Sequence, residues 1–351
     1  MSVNEEQILG ILKKVIDPDL GRDIVSLGFV QNIRICNEKV SFSLVLTTPA
    51  CPVKDLLKQQ CEELVLTLPG VKDVTVELSA QMRTREVQQQ DLIPDVKQCI
   101  AIASGKGGVG KSTLTVNLAI ALAQNGAKVG LLDADVYGPS VPLMLGCNGE
   151  QPLSSNQKIM PITRYGIQVM SLGFLLEEGQ AVLWRGPMVA GTVKQLLGDV
   201  DWGHLDYLLV DLPPGTGDAP MSLAQLVPLS GVVIVTTPHN VAANIAGKSA
   251  ALFRRLNAPI LGVVENMAEY SCPNCNHTSR LFSGTTGKDL SGLLEVPFVG
   301  SIPLEPLVSE SSNEGVPSIV AHPNHVSTSA FREIAGKIAA ESSIQTIRAT
   351  Q

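Results

Sequence analysis

Three things are scarce in this chain of 351 residues. It has no excess of basic charge, since 26 Lys and Arg stand against 33 Asp and Glu for a net charge of −7. Neutralising a phosphate backbone takes clustered cations, so wholesale nucleic-acid binding is not expected. It has no long apolar run, although 44% of its residues are hydrophobic and its mean hydropathy is +0.21. Gly, Pro and polar residues break every run well short of the roughly 18 residues that a bilayer span needs, and no membrane partner is expected. It also has no cysteine framework. The seven Cys, at 36, 51, 61, 99, 147, 272 and 275, are odd in number and scattered, which reads as thiols with one close pair. The opening MSVNEEQILGILKK carries acids where a signal peptide carries its basic region, so a cytoplasmic location is expected.

What is present suits two globular cores. Residues 1–80 read as a small α+β domain. Ile8, Leu9, Ile11, Leu12, Val15 and Ile16 are spaced for a helix over 4–16, ended by Asp17-Pro18-Asp19. Alternating runs Phe29–Ile35 and Val40–Leu46 predict a hairpin across Cys36-Asn37-Glu38-Lys39. A helix over Val53–Leu68, stopped by Pro69-Gly70, and a strand over Val71–Leu78 complete it. The polar, Gln-rich stretch 81–97 reads as a linker. Over 98–351, apolar runs (Cys99–Ala103, Lys128–Leu132, Tyr207–Val210, Gly231–Thr236, Ile260–Val264, Phe298–Ile302) alternate with amphipathic helices. Strands buried on both faces and separated by helices predict the α/β class, with a doubly wound, mostly parallel sheet. No repeat at a solenoid period is visible.

Gly105-Lys106-Gly107-Gly108-Val109-Gly110-Lys111-Ser112-Thr113 fits G-x-x-x-x-G-K-[ST] without a gap, between the strand CIAIA and a helix over Ser112–Gln124. Glycines let backbone N–H groups converge on phosphates, and the helix N-terminus adds partial positive charge. Lys111 is assigned to the β- and γ-phosphates and the Ser112 hydroxyl to Mg²⁺. Asp211, at the end of the strand Tyr207–Val210, is assigned to hold Mg²⁺ through a water, and Asp135 to the attacking water. Asp133 and Asp218 fit capping or turn roles as well as catalytic ones. The Gly215 amide, after Pro213-Pro214, is placed to sense a γ-phosphate.

The second lysine, Lys106, makes GKGGVGKST resemble the deviant Walker A motif of the ParA, MinD and nitrogenase iron-protein class. That resemblance implies that Lys106 crosses a dimer interface to the partner's nucleotide; a solvated loop lysine is the alternative. LLDADVYGPS, WRGPM, DLPPGTGD, VTTP, GVVENM and CPNC occur in that order over 99–320 and resemble the Mrp/ApbC family of iron-sulfur cluster carrier ATPases. DPDLGRDIVSLGFV and TTPACP resemble the small iron-sulfur-assembly domain often fused in front of them. The resemblance implies a homodimeric ATPase that hydrolyses ATP with Mg²⁺ and passes clusters to apo iron-sulfur proteins, in exchange with cluster-assembly scaffolds. It implies Asn266 as the residue that reads adenine, against a strand-end Asn that merely caps. Arg185–Met188 matches the family with no evident role beyond a turn. Phe282–Gly287 and His239-Asn240 depart from the family's pattern, which bears on loop geometry and partner contacts more than on chemistry.

Cys272-Pro273-Asn274-Cys275 sets two thiolates on one turn. A c-type haem needs His directly after the second Cys, where Asn276 stands. A thioredoxin-like dithiol belongs at a helix start, and this pair sits in a loop-like setting. Zinc could use Cys272, Cys275 and His277 but lacks a fourth ligand. A [4Fe-4S] cluster takes four cysteine thiolates, which two copies meeting on a two-fold axis supply. The bridging cluster is the preferred reading and zinc its chief rival. Cys51 of TTPACP precedes a helix, which would lower its pKa; a partly buried turn thiol is the equal alternative. Cys36, Cys61, Cys99 and Cys147 read as structural. A ParA- or MinD-like positioning ATPase would want a basic tail, whereas SAFREIAGKIAAESSIQTIRATQ carries only Arg332, Lys337 and Arg348. A scaffold that binds clusters with little turnover is the third reading.

Overall fold

The computed structural model describes residues 3–349 apart from 83, 85–91, 137, 156, 176–185, 273, 274 and 276. The chain divides into two compact units, Met1–Arg83 with Ala339–Gln351, and Thr84–Ile338.

The smaller unit holds α1 (Glu5–Leu12), β1 (Ile16–Asp17), β2 (Arg22–Asp23), β3 (Val30–Cys36), β4 (Lys39–Leu46), α2 (Lys54–Leu66) and β5 (Asp73–Ala80). Asn4 caps α1 by accepting from the Gln7 amide, with the Gln7 side chain returning to the Asn4 amide. The helix stops at Leu12, short of the expected 16. Val15 accepts from the Ile24 amide, and the Asp17 carboxylate accepts from the Asp19 and Leu20 amides at 2.9 Å each, so a tight turn claims this stretch. β3 and β4 form the expected hairpin, with Asn37 in left-handed backbone at φ 55°. β5 then joins β4 in parallel. Strict alternation along β4 sends Val40, Phe42, Leu44 and Leu46 into a core shared with Ile8, Leu12, Leu57 and Val65.

The larger unit runs β6 (Val96–Ser104), α3 (Lys111–Gln124), β7 (Val129–Asp133), α4 (Val141–Met144), β8 (Ser154–Ser155), β9 (Lys158–Ile159), β10 (Ile162–Arg164), β11 (Ile167–Ser171), α5 (Gly186–Gly198), β12 (Leu205–Asp211), α6 (Asp218–Leu226), β13 (Gly231–Thr236), α7 (Asn240–Arg255), β14 (Ile260–Ser271), β15 (Thr278–Ser279), α8 (Gly287–Leu294), β16 (Phe298–Leu304), α9 (Pro306–Asn313), α10 (Ser318–Ala321) and, as far as Ile338, α11 (Val326–Ala349). The sheet order is β10-β11-β7-β12-β6-β13-β14-β15, with β16 also on β14. From β11 to β14 and β16 every pairing is parallel, and β10 and β15 are antiparallel additions. β13 is buried at all six positions, as a strand covered by helices on both faces must be. The phosphate-loop strand β6 therefore lies in the middle of the sheet, between β12 and β13.

Two boundaries differ from the sequence reading. Val96 and Lys97 belong to β6 and not to a linker, and residues 83 and 85–91 of that stretch lie outside the described residues. Residues from Ala339 onward group with the smaller unit, where Ala340, Ser343 and Ile344 line a pocket with Asp17, Phe29 and Cys51. An amphipathic stretch announces that it will be buried and leaves open against which body.

Candidate functional site

The loop 105–110 turns from β6 into α3 at the carboxyl end of the central strand. Gly108 and Gly110 hold left-handed backbone at φ 77° and 82°, and a Cβ on Gly105 would sit 2.5 Å from the Ala246 nitrogen of α7. The loop glycines are thus demanded by backbone conformation and by close packing. Val109 is buried beneath the loop, Lys106 is half-buried, and the Lys106 carbonyl accepts from Ser104 Oγ at 3.1 Å.

Lys111 reaches inward, only 6% exposed, with Nζ 2.8 Å from Asp211 Oδ2 and 3.7 Å from Asp135 Oδ2. Ser112 Oγ donates to Asp211 Oδ2 at 2.5 Å. Thr115, which sequence reasoning passed over, shares its one hydroxyl proton between Asp211 Oδ1 at 2.8 Å and the Lys111 carbonyl at 2.9 Å. It lies one helical turn after Lys111, just past the end of the recognised motif, and that spacing was the available signal. Asp133 is fully buried and accepts from Ser171 Oγ (2.9 Å) and the amides of Asp135 (3.2 Å) and Val141 (3.3 Å). Burial and then the neighbouring Asp211 raise its carboxyl above the ordinary range. Asp211 and Asp135 thus flank the Lys111 cation, with the Ser112 hydroxyl on Asp211, oxygen donors of the kind a hard divalent cation takes together with waters and phosphate. The described residues fit Mg²⁺ there. Thr113 opens the helix behind them, its carbonyl accepting from Asn117 Nδ2 at 2.8 Å. Asn117 Oδ1 in turn accepts from Ser318 Oγ and the Ile319 amide.

Two placements differ from expectation. The Gly215 amide donates to the Ser104 carbonyl at 2.8 Å, so its bond is made within the fold and a phosphate would have to compete for it. Gly186–Met188 form the first turn of α5 and not a loop, while Arg185 lies outside the described residues. Asp218 begins α6. Asn266 Nδ2 donates to the Val109 carbonyl at 2.9 Å, which puts this side chain directly on the phosphate loop.

Cys272 comes directly after the last residue of β14, and the pair is carried by the β14–β15 hairpin, closed by Tyr270↔Ser279 and Ser271↔Thr278 and by the Cys272 amide donating to the His277 carbonyl at 3.0 Å. Cys272 is half-buried and Cys275 exposed, whereas Cys51, Cys61, Cys99 and Cys147 are buried. Cys36 is exposed at the end of β3. No group of three or more His, Cys, Asp or Glu is poised to hold a metal among the described residues. The two segments that depart from the family's pattern meet: Asn240 Oδ1 accepts from Thr285 N (2.7 Å) and Oγ1 (3.1 Å), and the His239 ring stands edge-on to Phe282.

In the smaller unit, Cys51 is not an activated thiol. Burial, joined by Asp19 and Asp17, pushes it up to about 11 and outweighs the Val53 backbone hydrogen bond. The helix it precedes begins at Lys54, and the thiol faces a pocket lined by Asp17, Asp19, Thr48 and the end of α11.

The family profile described as NUBPL iron-transfer P-loop NTPase, of the ParA group, matches residues 95–339. The chain belongs to this family. A second profile, iron-sulfur cluster assembly protein, matches residues 5–78. Over 350 residues this iron-transfer NTPase is 44% identical to the iron-sulfur cluster carrier protein of Synechocystis sp., covering 97% of this chain and 98% of that one. Over 260 residues it is 45% identical to the iron-sulfur cluster transfer protein NUBPL of Mus musculus, covering 74% and 82%. Among solved structures it resembles a nucleotide-binding protein from Archaeoglobus fulgidus in complex with ADP, at 39% identity and a TM-score of 0.58, over 66% of this chain and 92% of that one. The family read from the ordered motifs is therefore the one that matches. No helix among the described residues is long and apolar enough to cross a membrane.

Proposed function

We propose that this P-loop NTPase is an ATP-hydrolysing carrier that holds an iron-sulfur cluster between the Cys272 and Cys275 pairs of two subunits and passes it to apo-proteins in the cytoplasm. The observation that carries the reading is the position of the thiol pair. It stands at the solvent end of β14, the strand whose Asn266 bonds to the phosphate loop. A positioning ATPase has no use for such a pair.

In this reading Lys111 exchanges Asp211 for the β- and γ-phosphates, and Ser112 joins the metal sphere while Asp211 holds it through water. Mg²⁺ held there would supply positive charge to offset the charge that develops on the transferring phosphoryl group. Asp135, 9% exposed beside Lys111, orients the attacking water, and Lys106 supplies charge to the nucleotide of the other subunit. Asn266, already donating to Val109, offers its amide oxygen to the adenine amino group. Two chains supply four thiolates, the number a [4Fe-4S] cluster requires. Scaffolds that build clusters and apo iron-sulfur proteins are the partners on either side of this transfer.

Anaerobic reconstitution with iron and sulfide, followed by metal and sulfide analysis, tests the reading. About four iron and four sulfide per dimer are expected, with none in Cys272→Ala/Cys275→Ala. Zinc alone, or a cluster that survives loss of both cysteines, would sink the carrier role and leave the NTPase.

A further inference from the structure

β14 is interrupted. Its pairing with β16 steps from Asn266↔Ile302 to Tyr270↔Leu304, so three residues of β14 face one of its neighbour. Met267, the first of them, holds left-handed backbone at φ 57°. Asn32 is the other described non-glycine strand residue with positive φ, and asparagine tolerates it; a methionine there is strained and persists because its surroundings impose it. Such bulges bend the strand and re-aim the side chains beyond them.

The bulge lies between the two halves of the site. One residue before it, Asn266 Nδ2 donates to the Val109 carbonyl of the phosphate loop. A side chain on Gly110 would collide with the same amide, so the loop and Asn266 are packed directly against each other. Five residues after Met267 comes Cys272. The far end of the thiol loop is anchored twice: Asn240 accepts from Thr285, and the buried Glu265 carboxylate accepts from the Gly287 amide at the start of α8. With that end fixed, displacement of Asn266 reaches the cysteines through residues 267–271, and within that route the ladder to β16 is broken at 267–269.

We infer that Met267 is a positioning residue: its left-handed bulge couples the state of the phosphate loop to the aim and accessibility of Cys272 and Cys275. The inference rests on the reading of this pair as the cargo site, but its test needs no cargo.

Alkylation by iodoacetamide is followed peptide by peptide in the full chain, with and without saturating Mg-ATP or Mg-ADP. Cys61 and Cys99, both at 0% exposure, serve as controls for unfolding. The rate at Cys272 and Cys275 is expected to change about tenfold with nucleotide, within the usual range of coupling between sites. Met267→Gly and Met267→Asn, which accept the left-handed backbone, retain the response. Met267→Val, a β-branched residue that does not, drops it below about twofold while nucleotide affinity stays as in the wild type. Asn266→Ala, assayed at saturating nucleotide, breaks the same route at its other end and loses the response too. That variant decides the matter if the valine protein exposes Cys61 and Cys99. A wild-type rate indifferent to nucleotide, or a full response in folded Met267→Val or in Asn266→Ala, overturns the inference. Failed cluster reconstitution with an intact alkylation response would overturn only the carrier reading.

Discussion

Thr115 shows how much of a nucleotide site lies just beyond its motif. Asp211 is fully buried, with one carboxylate oxygen facing Lys111 and Ser112 and the other held by Thr115. Replacing the hydroxyl by a methyl of the same shape leaves that second oxygen short of a donor, which costs roughly 1–3 kcal/mol in a buried setting. Thr115→Val is therefore expected to lower ATP turnover by about tenfold to a hundredfold while nucleotide affinity changes by less than about threefold. Steady-state hydrolysis beside a binding titration checks this, and undiminished turnover would mean that Lys111 and Ser112 orient Asp211 unaided. Residues 105–113 were legible because a phosphate loop needs glycine, lysine and a hydroxyl at set spacings. Thr115 was not, because a mid-helix threonine has many uses. Cys51 was left between two equal readings, an activated thiol and a buried turn thiol, for a related reason, and the fold favours the second. Proximity to a helix start is visible in sequence, while burial beside Asp17 and Asp19 exists only once the fold brings them together.

Among the elements, those with a single physical demand were easiest to foresee. β13 runs from Gly231 to Thr236 as read, because an unbroken apolar run between turn residues has no other home than a covered strand. β14 was read only to Val264 because Glu265 and Asn266 break the apolar run. Both face specific partners, the α8 amide and the phosphate loop, so the strand continues for reasons that hydrophobicity cannot signal. The packing of α7 against the phosphate loop was equally hidden, since a glycine in G-x-x-x-x-G-K already has a reason to be there. Gly105→Ala would press a methyl into the backbone of Ile245 and Ala246 at 2.5 Å. Overpacking of this kind costs about 1–3 kcal/mol, so a lower Tm and weakened nucleotide binding are expected together. A calorimetric scan with a nucleotide titration on the same sample distinguishes this from an effect on the loop alone.

At the scale of the whole chain, the two units were foreseeable from the change in pattern near residue 81, and the path of the final helix was not. In the smaller unit its end brings Glu341 close to Asp19. Burial raises both carboxyls above their ordinary 4.5 and 3.8, and Asp17 adds to the rise at Asp19 and Asp19 to that at Glu341. A carboxyl raised in the folded state stabilises the fold relative to its ionised form only while it keeps its proton, below those ordinary values. The contribution is lost as pH rises through the raised value. Glu341→Gln and Asp19→Asn should each increase Tm at pH 7, with the gain fading toward pH 4. A gain that does not fade with acid would assign the effect to something other than ionisation.

The assignment of Ala339–Gln351 to the smaller unit also orders events in time. Residues 1–83 leave the ribosome before the larger unit, yet Ala340, Ser343 and Ile344, which help to wall the Cys51 pocket, emerge only after about 250 further residues have been made. The domain begun first is thus completed last. For the whole of that interval the pocket beside Cys51 lacks the wall that these three residues supply.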